Sequence, residues 1–211
     1  MTDEIVVPPK LVWIDLETTG SDERQDPIIE FAMVVTEGFA PFVELARYSR
    51  VVAPEGDGWS HRFSPKVLEM HVTNGLLGEI FGEFEGASPI AYVEEAAVEI
   101  VSKYGDRHDF VLAGSGVAHF DRRFIAAQMP KLDKWLRYYT IDVGVFRRTL
   151  VAMGHGFLVD EIRELPDFAL ADAKTHRAMD DIEGHLAELR HYAGRTNELM
   201  LHPAKLVGEL S

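Results

Sequence analysis

Apolar residues in the first quarter of the chain fall in short runs that are rich in β-branched residues and are separated by turn-forming residues. Such runs at 10–14, 28–37 and 43–52 predict three successive strands in a meander. Two further runs, DFVLAG at 109–114 and YYTID at 138–142, predict a fourth and a fifth strand. The sequence therefore predicts a sheet of five strands.

Apolar residues recur at helical spacing in the other segments. Ser64 and Pro65 suit the N-cap and the first turn of a helix over 66–70. Longer helices are predicted at about 88–104, where Ser88-Pro89 opens the helix, and at about 120–129, 143–153 and 175–192. Because strands that alternate with helices require crossover connections, we predict an α/β fold with a mixed sheet flanked by helices.

Composition and charge limit the architecture and the partners. A chain of 211 residues that is 46% hydrophobic is predicted to form a single domain over 1–211, with its core at about 10–194 and a C-terminal tail at about 195–211. The formal net charge of −14 argues against tight coating of long nucleic acid, because it repels polyanions. Binding of a short strand or a strand end, helped by cations, stays compatible with this charge.

Cysteine usage and hydropathy exclude several further classes of protein. The chain contains no cysteine, which excludes disulfides, thiolate metal sites and a cysteine nucleophile. The N-terminal sequence MTDEIVVPPK is acidic where a signal peptide is basic, and no apolar run approaches the ~18 residues that span a bilayer. We therefore expect no membrane partner and a cytoplasmic location.

Two carboxylates follow the first predicted strand in the segment LVWIDLETTG. Asp15 and Glu17 are two residues apart, so their side chains point to the same face of a strand. At a separation of ~4 Å their repulsion is roughly 4 kcal/mol for an effective dielectric near 20, which a divalent cation such as Mg²⁺ or Mn²⁺ would offset. The alternative interpretation is a solvated strand end with incidental acids.

A third acid, Asp121, opens the predicted helix in HFDRRFI. By itself it suits an ordinary N-cap.

The last predicted helix, in THRAMDDIEGHLAELRHY, contains His176, Asp180 and Asp181. At 100° per residue, Asp181 lies about 110° and Asp180 about 150° from the centre of the apolar stripe. This geometry favours Asp181 as the acid nearer the interior, although spacing alone would place His176 nearer Asp180.

The segments WIDLETTG, FDRRFI and HRAMDDI, in this order across nearly the whole chain, resemble the three motifs of the DEDDh 3′-5′ exonucleases. Within that superfamily they are most similar to oligoribonuclease, and more distantly to the proofreading epsilon subunits of DNA polymerases. The resemblance implies a ribonuclease-H-like fold with a mixed five-stranded sheet flanked by helices. It also implies that four acids bind metal and that His176 is the general base; the acids are Asp15, Glu17, Asp121 and Asp181.

The same resemblance implies further parts of the site. Two divalent ions, Mg²⁺ or Mn²⁺, are the expected cofactors. Asp142 is expected to cap a helix. The backbone at Leu16, Thr18 and Thr19 is expected to hold the 3′ nucleotide, and His71 matches a family histidine near the substrate. Oligoribonucleases are homodimers, so we expect a homodimer in which the segment containing Tyr138 and Tyr139 meets the partner subunit.

Several positions depart from the oligoribonuclease pattern. Ser21 replaces a leucine that wedges against the substrate bases in the family. Tyr139, Gly144 and Val117 fall where the family has an arginine and two serines around the 5′ phosphate. Because a phenol does not replace the bidentate contact of a guanidinium with phosphate, the departures put the family's preference for dinucleotides in doubt.

The function expected from the sequence is a metal-dependent 3′-5′ exonuclease that hydrolyses short or single-stranded RNA and releases 5′-mononucleotides. The alternatives are a DNA-directed exonuclease of the proofreading type and a non-catalytic module that binds nucleic-acid ends. Such a module would be expected to lose a site residue, and all five are present. A structural Ca²⁺-binding protein would leave His176 without a role. The sequence leaves open the sugar preference, the substrate length, the preferred ion and the pathway.

Overall fold

A computed structural model describes residues 8–56, 58–82, 87–162 and 176–201, with side chains up to residue 198. Five strands form one sheet in the order β3-β2-β1-β4-β5. They are β1 (Lys10–Thr18), β2 (Ile28–Thr36), β3 (Glu44–Val51), β4 (Phe110–Gly114) and β5 (Leu136–Asp142). β1 to β3 form an antiparallel meander, whereas β4 pairs parallel with both β1 and β5. The predicted mixed five-stranded sheet is confirmed.

Helices flank this sheet. They are α1 (Pro65–Thr73), α2 (Leu76–Phe81), α3 (Ile90–Ser102), α4 (Asp121–Gln128), α5 (Pro130–Asp133), α6 (Val143–Ala152), α7 (Phe157–Ile162) and α8 (Ala178–Leu201), and a 3₁₀ turn spans Trp59–His61. The sequence did not predict this 3₁₀ turn or the helices α2, α5 and α7. These elements have three to six residues, which is too short for a helical periodicity to be visible.

The first strand extends four residues beyond its predicted end at residue 14. Asp15 pairs with Ala32 and Glu17 with Glu30, so β2 holds this polar end of β1 in the sheet. Alternate residues of β1 pack into two different apolar clusters. One cluster lies under α3 and α4, and the other contains Leu11 and Trp13 and lies under α6, α7 and α8. Asp15 and Glu17 continue the second face, towards α8.

Helix caps explain some of the boundaries. Ser64 caps α1 as predicted, because its Oγ accepts the Val67 N–H at 3.3 Å. The longer helix begins only at Ile90, after Pro89, and no side chain caps it. Its predicted beginning at Ser88 was therefore wrong by two residues. Ser88 instead forms a bridge with Val52.

The last helix differs from its prediction at the C-terminal end. α8 continues to Leu201, beyond the predicted end at 192 and into the segment predicted as a tail. No proline lies between Ala178 and Pro203, and Gly194 alone does not end a helix. The predicted beginning at Thr175 lies outside the described residues. Within the described ranges, no helix is both long and apolar enough to cross a bilayer.

Candidate active site

Three carboxylates from β1 and α8 converge at the carboxyl end of β1. Oxygen atoms of Asp15, Glu17 and Asp181 all lie within 4.8 Å of one another. The alternation of β1 turns Asp15 and Glu17 to one face, and α8 presents Asp181 in its first turn. The structure thus places Asp181 in this cluster, while Asp180 lines a neighbouring cleft.

Asp121 is the fourth acid at this end of the sheet. It is the first residue of α4 and its side chain is buried. Its carboxylate accepts hydrogen bonds from its own N–H and from that of Leu16 in β1. The charge of Asp121 also raises the pKa of both Asp15 and Glu17. Asp121 therefore belongs electrostatically to the acidic cluster, although it lies outside the group of three.

Burial and mutual repulsion make these carboxylates hold protons unusually strongly. Burial, followed by the charges of Asp121, Asp181 and Glu17, raises the pKa of Asp15 well above its ordinary value. Burial is also the largest cause for Glu17, whose pKa rises to about 9, and for Asp121, whose pKa rises to about 7. Converging carboxylate oxygens that repel one another fit a hard divalent cation, which would relieve the repulsion.

His71 packs against the end of β1 that carries Glu17 and Thr18. The ring is fully buried in α1, and its Nε2 lies 3.3 Å from the carbonyl oxygen of Thr18 and 3.7 Å from Oε2 of Glu17. Burial lowers the pKa of His71, so the neutral ring donates from Nε2 to Thr18. Nδ1 has no hydrogen-bond partner among the described residues. His71, which was predicted to lie near the substrate, therefore packs against the end of β1 that carries Glu17 and Thr18.

The backbone groups predicted to hold a 3′ nucleotide already make internal hydrogen bonds. The N–H of Leu16 binds the Asp121 carboxylate, and the carbonyl of Thr18 accepts from His71. The N–H of Thr19 donates to the carbonyl of Pro27 at 3.2 Å. In the part of the chain that the structure describes, the buried Oγ1 of Thr19 has no partner. These contacts fix the shape of the acidic strand end.

His176 lies two residues before α8 and borders an open cleft of about 570 Å³. Its φ is 45°, in the left-handed region, and its carbonyl accepts a hydrogen bond of 2.5 Å from Nδ2 of Asn74. Asp181, in the first turn of α8, belongs to the acidic cluster. His176 is thus brought to the same end of the sheet as the acids.

Sequence reasoning missed Glu30 and Arg177. Glu30 pairs with Glu17 across the sheet and is 2% exposed. Its carboxylate binds the guanidinium of Arg177, at 2.8 Å from Nη2, and also accepts the N–H of Ala178 at 3.1 Å. The available signal was a carboxylate inside the apolar run IIEFAMVV, since strands rarely bury an acid that lacks a partner.

Asp142 holds the segment that leads to Asp121. Its carboxylate accepts the N–H of Val145 at 2.9 Å, which caps α6, and that of Gly116 at 3.0 Å. The cap agrees with the role expected from the resemblance. The second bond ties the end of β5 to the loop between β4 and α4.

The sheet order and the placement of acids at its parallel strand ends define the ribonuclease-H-like exonuclease fold. Cell-death related nuclease 4 superposes with a TM-score of 0.60 at 16% identity, over 90% of this chain and 65% of that chain. Escherichia coli exonuclease I in complex with a dT13 oligonucleotide gives 0.61 at 16% identity, over 91% and 42%. The chain thus spans under half of exonuclease I, and these likenesses show the fold.

Sequence comparison identifies the family. The oligoribonuclease of Corynebacterium glutamicum is 32% identical over 184 residues, which cover 87% of this chain and 78% of that protein. The oligoribonuclease of Dichelobacter nodosus is 28% identical over 190 residues, covering 88% and 93%. The chain therefore belongs to the oligoribonuclease family. No family model matches it.

Proposed function

We propose that this protein is a metal-dependent 3′-5′ exonuclease that hydrolyses phosphodiester bonds of short or single-stranded RNA and releases 5′-mononucleotides. The observation that carries the proposal is the convergence of Asp15, Glu17 and Asp181 within 4.8 Å, with Asp121 bonded to the same strand. Membership of the oligoribonuclease family supports the reaction. Exonuclease I, of the same fold, binds single-stranded DNA, which supports a single-stranded substrate.

The donor set fits two divalent ions, Mg²⁺ or Mn²⁺, held by the carboxylates of Asp15, Glu17, Asp121 and Asp181. Exonuclease I has been observed with zinc bound, which supports divalent-ion use. When bound, such ions activate the attacking water and stabilise the charge that develops on the leaving 3′-oxygen. The four carboxylates would hold these ions and must lose their protons to do so.

His176 is the proposed general base. Its imidazole accepts the proton of the attacking water, which is the task that a histidine near neutral pH performs best. The cleft beside it is lined by charges of both signs, among them Lys66, Glu69 and Asp180. The buried strand end excludes water from one side of the carboxylates. A general base of this type contributes about 10²- to 10⁴-fold in rate.

The proposed substrate length is based on three positions that depart from the family pattern around the 5′ phosphate: Val117, Tyr139 and Gly144. A side chain at Gly144 would meet Oγ of Ser115 at 2.5 Å, so Ser115 fills the space that the family's serine would need. Val117 is buried, and Tyr139 is partly exposed. We propose that the grip on a 5′ phosphate is correspondingly weaker, and that the enzyme accepts single strands longer than dinucleotides.

We also propose a homodimer. β5 lies at the edge of the sheet, and Tyr138 on this strand is 94% exposed. The following helix, α6, and the residue after it expose further large apolar side chains: Val145, Phe146, Val151 and Met153. An exposed edge strand beside exposed apolar side chains is typical of a surface that another chain covers.

The test is product analysis over time with 5′-labelled RNA and DNA strands of two to about twenty nucleotides, with Mg²⁺ or Mn²⁺. We expect a ladder that shortens from the 3′ end. Asp15→Ala should lose activity and metal binding together. His176→Ala should lose about 10²- to 10⁴-fold in rate while metal and substrate binding persist.

The outcomes separate the candidate functions. Activity that survives Asp15→Ala would show that the site is assigned wrongly. Faster cleavage of DNA than of RNA would favour the proofreading-type alternative. Cleavage of dinucleotides alone would contradict the proposed substrate length. Metal binding without turnover on any strand would favour a non-catalytic module that binds nucleic-acid ends.

A further inference from the structure

The buried carboxylate of Glu30 joins the central sheet to the segment that contains His176. It binds Arg177 at 3.0 Å from Nε and 2.8 Å from Nη2, and it also accepts the N–H of Ala178, the first residue of α8. Arg177 is the residue immediately after His176. One side chain of β2 thus fixes both neighbours on the C-terminal side of His176.

Asn74 fixes His176 from the opposite side. Its amide donates to the carbonyl of His176 at 2.5 Å, and it follows the last residue of α1. The same helix is tied to the acidic strand, because His71 binds the carbonyl of Thr18. The backbone of His176 is therefore held between two elements that also hold the metal-binding strand.

The backbone conformation of His176 needs such support. A φ of 45° is unfavourable for a residue with a Cβ, because the Cβ then lies too close to the backbone carbonyl oxygen. A residue in this conformation persists only where its surroundings determine it. The hydrogen bonds of Glu30, Arg177 and Asn74 are the described contacts that do so.

We propose that Glu30, through Arg177 and the N-terminus of α8, is a positioning residue that sets His176 against the acidic cluster. This inference rests on the proposed role of His176 as general base. Glu30 does not bind metal or substrate in this proposal. Its carboxylate is bound by Arg177, and its charge contributes to the raised pKa of Asp15 and Glu17.

Glu79 provides a matched control. It binds the same guanidinium, at 2.8 Å from Nη1, but no hydrogen bond of Glu79 to the backbone of α8 occurs within the described ranges. Glu79→Gln and Glu30→Gln each remove one negative charge that faces the guanidinium of Arg177. Only Glu30→Gln also changes the carboxylate that accepts the N–H of Ala178. We expect Glu30→Gln to lower kcat about 10- to 100-fold with little change in KM, since small misplacements cost about 10²-fold. We expect Glu79→Gln to change kcat less than about 3-fold.

The decisive measurement is a double-mutant cycle that combines Glu30→Gln with His176→Ala. Calorimetric titration with Mn²⁺ measures the metal affinity of each variant, and thermal unfolding measures its stability. If Glu30 acts through His176, adding Glu30→Gln to His176→Ala should change the rate less than about 2-fold. The Mn²⁺ affinity of Glu30→Gln should stay within about 3-fold of wild type. The NMR signals of the His176 ring should shift in Glu30→Gln and not in Glu79→Gln, a measurement that needs no turnover.

Several results would overturn the inference. These are additive effects in the cycle, equal losses in Glu30→Gln and Glu79→Gln, or a loss of Mn²⁺ affinity that accompanies the loss of rate. Unchanged activity in Glu30→Gln would refute the positioning role while leaving the exonuclease proposal intact. A wild-type protein without activity on any strand would refute the exonuclease proposal, and the NMR comparison would still test the contact between Glu30 and the His176 segment.

Discussion

At the scale of single residues, the charge of the acidic cluster dominates the behaviour of the protein. Asp15, Glu17 and Asp121 all hold their protons more strongly in the folded protein than in the unfolded chain, because they are buried and lie near other carboxylates. A cation that binds them must displace these protons. Folding, protonation and metal binding are therefore linked at this site.

The first prediction is that the metal-free protein loses stability as pH rises. The folded state binds more protons than the unfolded chain between the unfolded pKa values near 4 and the folded values of about 7 for Asp121 and about 9 for Glu17. The free energy of unfolding therefore falls as pH rises through this window. In EDTA, the melting temperature should drop by several degrees from pH 7 to pH 9.

Glu17→Gln checks the cause. It removes one of the repelling charges, so its melting temperature in EDTA at pH 8 should exceed that of the wild type by about 2–4 °C for each kcal/mol relieved. It should also lose the stabilisation that Mg²⁺ gives the wild type. Glu95→Gln, a change to an exposed carboxylate on α3, should follow the wild type. A melting temperature that rises with pH in EDTA would contradict the interpretation.

At the scale of elements, the site depends on hydrogen bonds that join the ends of strands to the beginnings of helices. Glu30 joins β2 to α8, and Asp142 joins β5 to α6 and to the loop before α4. Each carboxylate satisfies backbone N–H groups at a helix beginning or in a loop, which are otherwise unpaired. The position of Asp121, the first residue of α4, therefore depends on Asp142 at the end of β5.

Asp142→Ala should lower both stability and activity. Loss of the cap on α6 and of the bond to Gly116 should reduce the free energy of unfolding by about 1–3 kcal/mol. The loosened loop should also lower kcat, since it leads into α4 and Asp121. Urea unfolding and a steady-state assay provide the two measurements. Ser64→Ala, which removes the cap of α1, should cost about 0.5–1 kcal/mol and leave kcat unchanged; equal losses of activity in both variants would argue against this route.

At the scale of the whole molecule, the protein combines a net charge of −14 with a substrate that is itself an anion. Repulsion at long range disfavours binding along the length of a strand, and bound cations reverse the sign at the site. The exposed apolar side chains of β5 and α6 are a second feature at this scale. In the proposed homodimer they would be covered by a second copy of the chain.

The proposed dimer predicts a molar mass in solution of about twice 23.7 kDa by sedimentation or light scattering. Phe146→Asp places a charge in the exposed surface of α6 and should yield monomers, because a charge buried at an interface lacks a partner. Tyr92→Asp changes a side chain on α3 that is 67% exposed and should leave the mass unchanged. A monomeric wild type at micromolar concentration would refute the homodimer.

The sequence by itself determined the features that depend on neighbours along the chain. Short apolar runs rich in β-branched residues predicted the five strands, and apolar residues at helical spacing predicted the longer helices. Ser64 predicted a helix cap. The short helices α2, α5 and α7 were not predicted, since they contain too few turns to show a helical period. The proposed metal-binding acids came from the motif resemblance, while the residues alone left Asp121 as an ordinary cap.

Only the tertiary structure decided how distant residues meet. β2 extends β1 past residue 14 and brings Glu17 opposite Glu30. Arg177 meets Glu30 across 147 positions of sequence, which no local pattern encodes. The internal bonds of Leu16, Thr18 and Thr19 likewise depend on residues from other elements. The sequence specifies which segments form strands and helices, whereas the packing of those segments decides which polar groups share a site.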